Sequence, residues 1–222
     1  YVTFNNEVWR IIGVFPTDDG TGKIENRIKL IKDQSIGNKY WDTSGSNNWA
    51  RPATLNTELN TTYLNSLDST SKSLISNAKY YLGGYNNSLT IQKDVMYQNE
   101  RKINGSKYYN ESNPNSWVGK LGLMYASDYG YAASDECTQT LYNYDNATCK
   151  NNNWLFKGNT EWILPQSARH SSDAFFVRSG GGVGSGIVST YQSGVRPVLY
   201  LISSAQITGG DGTIGSPYTL GL

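Results

Sequence analysis

The sequence predicts an α+β fold in which an N-terminal hairpin and early helices pack on a small twisted antiparallel sheet with long loops. Apolar residues recur at helical spacing between positions 53 and 67. The regions before and after this stretch hold short β-type runs separated by turn-forming residues. The chain of 222 residues shows neither an internal repeat nor a low-complexity linker, so we expect a single domain over residues 1–222.

Two β-type runs open the chain, Tyr1 to Phe15 and Arg27 to Lys32, and both are rich in β-branched residues. The segment between them, Pro16 to Lys23, is dense in turn formers, so we expect an antiparallel hairpin with a long tip. Asp18 and Asp19 are then turn residues. Calcium binding by this pair is the less favoured alternative, because the further ligands of an EF-hand loop are missing.

Two helices are expected next. The first is indicated by apolar residues at intervals of three and four, namely Leu55, Leu59, Tyr63, Leu64 and Leu67. Pro52 suits its first turn. A shorter helix is expected over Ser69 to Ala78, with Ser69 or Thr70 as its N-cap.

The middle of the chain is less regular. Tyr85 to Trp117 has no sustained period, so we expect loops with one short helix around Ile91 to Arg101. Leu121 to Tyr125 predicts a short buried strand, and a helix or turn over Ala126 to Tyr131 follows it. Glu161 to Leu164 predicts a further apolar strand that Pro165 stops.

The last third predicts a display loop backed by a buried strand. Asp173 to Arg178 is extended in character, Ser179 to Gly186 is too rich in glycine for a regular element, and β-type residues resume afterwards. Polar loops on a rigid sheet are typical of binding modules. We therefore expect a recognition surface formed by the loops Ser167 to Ser172 and Ser179 to Ser193. Its candidate ligand-binding residues are Arg169, His170, Ser171, Arg178 and Tyr191.

Charge and hydropathy exclude several classes of partner. Lys and Arg number 19 against 18 Asp and Glu, so no summed field attracts nucleic acid or an anionic membrane surface. No apolar run reaches the length of a membrane span, so direct membrane insertion is not expected. Only 17% of residues are charged while 13% are aromatic, a composition that suits an extracellular bacterial surface protein better than a cytosolic enzyme.

The chain has two cysteines, Cys137 and Cys149, in a polar segment. The favoured interpretation is a disulfide that closes a surface loop and contributes roughly 3 kcal/mol if loop-closure entropy dominates. Two unpaired thiols in a reducing cell are the alternative. Two cysteines and one histidine cannot supply a zinc tetrahedron without carboxylates, and no CxxC spacing occurs. We expect neither a metal nor a cofactor.

The single histidine, His170, is the candidate for catalytic chemistry. A serine hydrolase would need a nucleophile and an orienting carboxylate beside this imidazole, but neither Gly-x-Ser-x-Gly nor a phosphate-binding glycine motif occurs. A hydrolase that uses His170 is therefore the alternative function, and a surface-loop histidine is the expected one.

The aromatic residues suggest a second alternative. Tyrosines and one tryptophan in Asn- and Ser-rich loops could stack on sugar rings, as in a lectin; they are Tyr142, Tyr144, Trp154 and Tyr191. The remaining tryptophans are expected to pack inside the fold, at positions Trp9, Trp41, Trp49, Trp117 and Trp162. Arg196 is expected to hold a loop carbonyl or a carboxylate rather than to face a ligand.

The order of several motifs resembles a family of domains from Firmicute and Mollicute surface proteins, some of which follow a type IV pilin-like leader. The matching runs are residues 1–15 (YVTFNNEVWRIIGVF), 28–31 with 35–37, 122–132 (GLMYASDYGYA), 194–199 (GVRPVL) and the closing segment 209–220. The similarity covers nearly the whole chain. It implies an adhesin or a pilus-associated domain.

That group is in turn similar to the C-type-lectin-like and formylglycine-generating-enzyme-like superfold, in which early helices pack on a small twisted sheet and a late loop is presented for binding. The Glu-Pro-Asn and Trp-Asn-Asp motifs of calcium-binding lectins are absent, so any sugar binding is expected to be calcium-independent. The enzyme branch uses reactive cysteines near the late core, which Cys137 and Cys149 do not match. Its activity is therefore not carried over.

Together these expectations describe a non-catalytic extracellular domain on a cell surface or pilus, for adhesion, recognition or filament building. Its expected partner is a ligand on a host or neighbouring cell, glycans included, or further copies of itself in a filament.

Overall fold

Strands dominate the computed structural model, which describes residues 1–102 and 113–222. The strands are β1 (Val2–Phe4), β2 (Glu7–Asp18), β3 (Ile24–Lys32), β4 (Asn38–Tyr40), β5 (Ala78–Tyr81), β6 (Ser116–Gly119), β7 (Leu121–Gly122), β8 (Glu161–Gln166), β9 (Asp173–Val177), β10 (Val183–Ile187), β11 (Gln192–Gly194), β12 (Val198–Tyr200), β13 (Gln206–Gly209) and β14 (Thr219–Gly221). The helices are α1 (Thr54–Glu58), α2 (Leu64–Ser66), α3 (Ser69–Leu74), α4 (Lys93–Arg101), α5 (Ala126–Tyr131) and α6 (Ala147–Lys150), with a π-helical turn (Leu59–Tyr63) between α1 and α2 and a 3₁₀ turn (Leu141–Asn143) before α6. The predicted α+β class is confirmed.

Two five-stranded sheets carry most of the fold. The first has the order β1-β2-β3-β12-β7 and is antiparallel throughout. The second has the order β10-β9-β8-β11-β4, in which β11 runs parallel to β8 and the other pairings are antiparallel. Two-stranded ribbons, β5-β6 and β13-β14, flank them. Strands from both ends of the chain thus share one sheet, since β12 pairs with β3.

The N-terminal hairpin forms as predicted, but its tip is shorter than expected. β2 continues through Pro16 to Asp18, and β1 pairs only with the Glu7–Trp9 end of β2, so β1 does not cover Pro16. A proline is tolerated where no ladder donor is required. Of the two predicted turn residues, Asp19 lies in the turn, whereas Asp18 is the last residue of β2 and its Oδ1 accepts hydrogen bonds from the turn amides of Gly20 at 2.8 Å and Gly22 at 3.0 Å.

The early helices follow the predicted period with different ends. Residues 54–66 are helical and bury Leu55 and Leu59, whereas Pro52 precedes the helix instead of lying in its first turn. α3 ends at Leu74, because Ile75 is extended and bridges Leu201. Its N-cap is Asp68, not Ser69 or Thr70: an Asp68 carboxylate oxygen accepts from the Ser71 amide at 2.8 Å.

The predictions for the middle of the chain are largely confirmed. The helix expected around Ile91 to Arg101 is α4 and the helix expected after Leu121 to Tyr125 is α5, but the strand expected over Leu121 to Tyr125 is shorter, since β7 ends at Gly122. Residues 103–112 of the predicted loop region lie outside the described residues. The prediction that Pro165 stops a strand is wrong, because β8 runs through it to Gln166. The pairing of β8 with β9 changes register between Trp162 and Gln166, and this irregularity accommodates the proline.

The prediction of a free loop over Ser179 to Gly186 is also wrong, since β10 begins at Val183 and pairs with β9 along its length. The glycines make room for neighbouring side chains. A Cβ on Gly186 would lie 2.9 Å from the rings of Phe176 and Tyr191, and one on Gly184 would lie 2.6 Å from Arg178 Nε. Of the loop predicted over Ser179 to Ser193, the turn before β10 and the turn between β10 and β11 remain.

Aromatic residues fill the interior. Trp9, Trp41, Trp49 and Trp162 are fully buried, and Trp117 packs partly buried against the same core, as predicted. A second cluster surrounds the predicted disulfide, which joins Cys137 to Cys149 with the two Cα atoms 4.7 Å apart. No helix within the described part of the chain combines the length and the apolar character needed to cross a membrane.

Candidate binding cleft

A cleft of about 230 Å³ opens between β2, α4, α5 and the loop that follows α6. We call it the aromatic cleft. Its lining residues are Ile12, Phe15, Tyr97, Ser127, Asp128, Tyr131, Ala132 and Trp154. Four of the eight are aromatic, so the walls are flat and mostly apolar, as is common for small-molecule sites.

Local features of β2 build one wall. The β2–β3 register shifts between Ile11 and Gly13, which leaves Ile12 outside the regular pairing. A bulge of this kind re-aims a side chain. Gly13 leaves space for the Phe15 ring, because a Cβ at that position would lie 3.0 Å from the ring.

Arg10 holds the opposite wall. Its Nη1 donates to the Trp154 carbonyl at 2.8 Å, and its guanidinium lies 4.4 Å from the Trp154 ring centre and 4.8 Å from that of Tyr1. Stacking of arginine on aromatic rings is favourable. The indole is therefore fixed in place before any ligand arrives.

Below the cleft lies a group of charged and polar residues that we call the buried charge cluster: Lys29, Glu100, Arg101, Ser127 and Asp128. Lys29 Nζ donates to Asp128 Oδ2, which also accepts from the Tyr125 amide at 2.7 Å. Glu100 accepts from the Ser127 amide at 3.0 Å and from the Ser127 hydroxyl, and Arg101 Nη1 lies 3.1 Å from Glu100 Oε2. The Asp128 charge and the Ser127 hydroxyl at the cleft floor are therefore already paired within the protein.

Aromatic rings surround the amine of Lys29. Its Nζ lies 4.5 Å from the ring centre of Tyr125, 5.5 Å from that of Tyr200 and 5.6 Å from that of Phe15. Only 1% of the Lys29 surface reaches solvent. This environment stabilises a cation through the ring faces but removes it from water.

Burial changes the acidity of two members of the cluster. It lowers the pKa of Lys29, and the neighbouring Asp128 carboxylate opposes that shift. Burial raises the pKa of Glu100 to about 7, although Arg101 and the Ser127 hydrogen bonds act the other way. Glu100 therefore changes its charge near neutral pH, within contact distance of Arg101 and Ser127.

The predicted ligand-binding residues lie away from this cleft. Arg169, His170 and Ser171 are exposed in the loop between β8 and β9. The Asn47 side-chain amide fixes that loop by donating to the carbonyls of residues 167, 170 and 173, each at 2.9 Å. Tyr191 is 52% exposed and follows β10. The end of β10 pairs with the start of β9, so Tyr191 lies at the same end of the sheet as that loop.

Arg178 lies at the other end of β9, where its guanidinium is 4.5 Å from the ring centre of Tyr142. Five residues of strand span roughly 16 Å, so Arg178 and the loop that holds His170 do not form one patch. The structure therefore brings four of the five predicted residues to one end of the second sheet and separates the fifth.

The His170 imidazole makes no hydrogen bond or ion pair with any described residue, while its backbone amide donates to Ser167 Oγ at 3.1 Å.

Of the aromatic residues predicted to stack on sugars, Trp154 lines the cleft, whereas Tyr144 is fully buried, so that prediction is wrong for Tyr144. Within residues 1–102 and 113–222, no group of three or more His, Cys, Asp or Glu side chains is placed to hold a metal ion.

The role predicted for Arg196 is confirmed. Its Nη2 donates to Glu161 Oε2 at 2.7 Å and to the Leu155 carbonyl at 2.6 Å. The cleft and the buried charge cluster, in contrast, were missed. Two features of the sequence could have indicated the cluster: Lys29 lies in an apolar strand, and Asp128 lies within the run GLMYASDYGYA.

No family model, no curated protein and no solved structure matches this chain.

Proposed function

We propose that this chain is a non-catalytic, extracellular recognition domain displayed on a cell surface or a pilus, and that its ligand binds in the aromatic cleft. The observation that carries the proposal is the cleft itself: Trp154 is fixed by Arg10, and Tyr131 is 53% exposed beside it. Aromatic side chains that are already fixed in the free protein lose little conformational entropy when a ligand binds.

The cleft fits a flat neutral ligand. The Asp128 charge on its floor is paired with Lys29, and Ser127 is hydrogen-bonded to Glu100, so the floor offers no unpaired charge to an ionic ligand. Aromatic side chains stack on apolar ring faces. A volume of about 230 Å³ lies below the range of sites for drug-sized ligands, about 300–1,000 Å³, and accommodates one ring rather than several. A single sugar ring, bound without calcium, has this chemistry.

The disulfide supports the location. Disulfides persist in oxidising compartments, and Cys137–Cys149 lies within a buried cluster of the fold. We propose the likeness to the C-type-lectin-like superfold because α1 to α3 precede β8 to β12, the order of early helices and later strands that this superfold has. Filament building from copies of this chain is the alternative role. Its sign would be assembly that depends on protein concentration.

A glycan array tests the proposal, with Tyr131→Ala as the cleft variant and Tyr191→Ala as its matched control. The two tyrosines are equally exposed, at 53% and 52%, but only Tyr131 lines the cleft. We expect Tyr131→Ala to weaken binding at least about tenfold, because truncated aromatic anchors often cost more than 1.4 kcal/mol. Tyr191→Ala should bind like the wild type.

The opposite pattern, with binding lost in Tyr191→Ala and kept in Tyr131→Ala, would move the site to the loops predicted from the sequence. Hydrolysis of an arrayed ligand that is abolished by His170→Ala would replace the proposal with the hydrolase alternative.

A further inference from the structure

Lys29 and Asp128 meet although 99 positions separate them in the chain. Lys29 belongs to β3, in the middle of the first sheet, and Asp128 belongs to the first turn of α5. Their side chains are 1% and 5% exposed. A primary amine is thus held against a carboxyl group where water has almost no access.

The contact is costly as an ion pair. Removing two charges from water carries a desolvation penalty that their attraction often fails to repay. Arg196 and Glu161 form a comparably buried pair, but a guanidinium is a poor nucleophile and stays charged. Lysine differs, because burial lowers the pKa of Lys29 and so favours the neutral, nucleophilic amine.

The two oxygens of the Asp128 carboxyl group have different surroundings. Oδ2 is fixed by the Lys29 amine and by the Tyr125 amide at 2.7 Å. Oδ1 accepts no hydrogen bond from any described residue, and Asp128 lines the aromatic cleft. Charge that develops on Oδ2 would meet a backbone donor, while a departing Oδ1 would leave toward solvent.

We propose that Lys29 and Asp128 condense within the folded chain to form an intramolecular isopeptide bond. A bond forms between Lys29 Nζ and Asp128 Cγ, and the bond from Cγ to one carboxyl oxygen breaks. Two of the three ammonium protons leave with that oxygen as water, and the third stays on the amide nitrogen. The step needs no oxidant and no further reactant.

Glu100 is the positioning residue for this step. Glu100 accepts two hydrogen bonds from Ser127, which is the residue before Asp128 in the chain. It also interacts electrostatically with both Lys29 and Asp128. Its hydrogen bonds from the Ser127 amide and hydroxyl hold the residue next to Asp128 in place, and burial gives Glu100 a pKa of about 7. Arg101, the other charged neighbour, keeps this acid in place.

The bond would connect β3 covalently to α5 beneath the cleft. Disulfide Cys137–Cys149 closes a short segment, whereas the proposed bond closes a loop of about a hundred residues that contains all of α1 to α4. Such a link suits a domain that must keep its shape outside the cell.

Intact mass spectrometry of the full chain under denaturing, reducing conditions tests the proposal. We expect the wild type to be lighter than its sequence mass by one water, and peptide mapping to find the Lys29 and Asp128 peptides joined. Lys29→Arg should have its full sequence mass. Lys157→Arg is the matched control, because Lys157 pairs with Asp33 at 2.7 Å with its side chain 25% exposed, and this variant should keep the loss of one water.

A wild-type chain at its full sequence mass would overturn the proposal, as would a loss of water that maps to any other residue. This outcome does not depend on whether the variants fold. For Glu100, we expect Glu100→Gln to show a smaller linked fraction than the wild type and Glu100→Asp to restore part of it. An unchanged linked fraction in Glu100→Gln would remove Glu100 from the step.

Discussion

Arg196 donates two hydrogen bonds to one carboxylate oxygen of Glu161, from Nη2 at 2.7 Å and from Nε at 3.1 Å. Glu161 begins β8, and Arg196 lies between β11 and β12, so the pair fixes to β8 the segment of chain that passes from the second sheet to the first. Arg196 also holds the Leu155 carbonyl at 2.6 Å, next to the tryptophan of the cleft wall.

Removal of one partner should therefore be strongly destabilising. We expect Glu161→Ala to lower the free energy of unfolding by about 3–5 kcal/mol, because it leaves the buried Arg196 charge without its partner. Chemical denaturation measures this. Glu58→Ala is the control, since it removes an ion pair with Lys39 in which the Glu58 and Lys39 side chains are 33% and 34% exposed, and a pair so open to water is worth less than about 1 kcal/mol. Equal losses in both variants would contradict the account.

The disulfide should stabilise the second core cluster. We expect the double variant Cys137→Ala with Cys149→Ala to lose about 3 kcal/mol of unfolding free energy, the amount expected for closure of a short loop. Unfolding of the wild type with and without reductant provides an independent measurement. No difference between the oxidised and reduced wild type would show that the bridge contributes nothing to stability.

Glu100 should make stability dependent on pH. Its pKa is raised from 4.5 to about 7 in the folded chain, chiefly by burial, with Arg101, Ser127 and Asp128 as its other influences. The folded state then binds more protons than the unfolded state between these values, so the unfolding free energy falls as pH rises from 4.5 to about 7. The decrease amounts to roughly 3 kcal/mol.

Glu100→Gln carries no charge to bury, so its unfolding free energy should vary less over that range. Denaturant titrations at several pH values measure the difference. Glu136→Gln, at an exposed position, is the control and should keep the wild-type slope. A Glu100→Gln slope identical to that of the wild type would contradict the assignment.

Gly84 should tolerate no side chain. A Cβ there would lie 1.8 Å from the Gln166 carbonyl oxygen of β8, and the backbone cannot move away without breaking the buried strand. We expect Gly84→Ala to cost at least about 2 kcal/mol, in the range of overpacked cores. Gly215, around which a Cβ would meet nothing within 4 Å, is the matched control, and Gly215→Ala should change stability little. Thermal unfolding of the two variants compares them directly.

The sequence predicted elements whose patterns are local. The hairpin, the helix around Leu55 and Leu59, and α5 follow from periodicity and turn residues within a few positions. The prediction for the glycine-rich segment after Arg178 failed because its glycines leave room for close neighbours, such as the Tyr142 carbonyl at Gly182 and the Phe176 ring at Gly186, which composition cannot distinguish from loop flexibility. Pro165 misled for a similar reason, since only the pairing with β9 shows that a register change accommodates it.

The cleft could not be predicted from local sequence patterns. Ile12, Tyr97, Tyr131 and Trp154 come from four separate parts of the chain, and their convergence depends on how β2, α4 and α5 pack. The sequence did place Lys29 between apolar neighbours, where a charge needs a partner. It could not identify that partner, because Asp128 lies 99 positions away.

The most direct test of the central claim, that ligand binds in the aromatic cleft, is an NMR titration of the chain with the strongest array ligand. The account predicts the largest chemical-shift changes at the Trp154 indole N–H and at the backbone amides of Tyr131 and Ala132. Changes confined to residues 167–172 and 179–193 would contradict it.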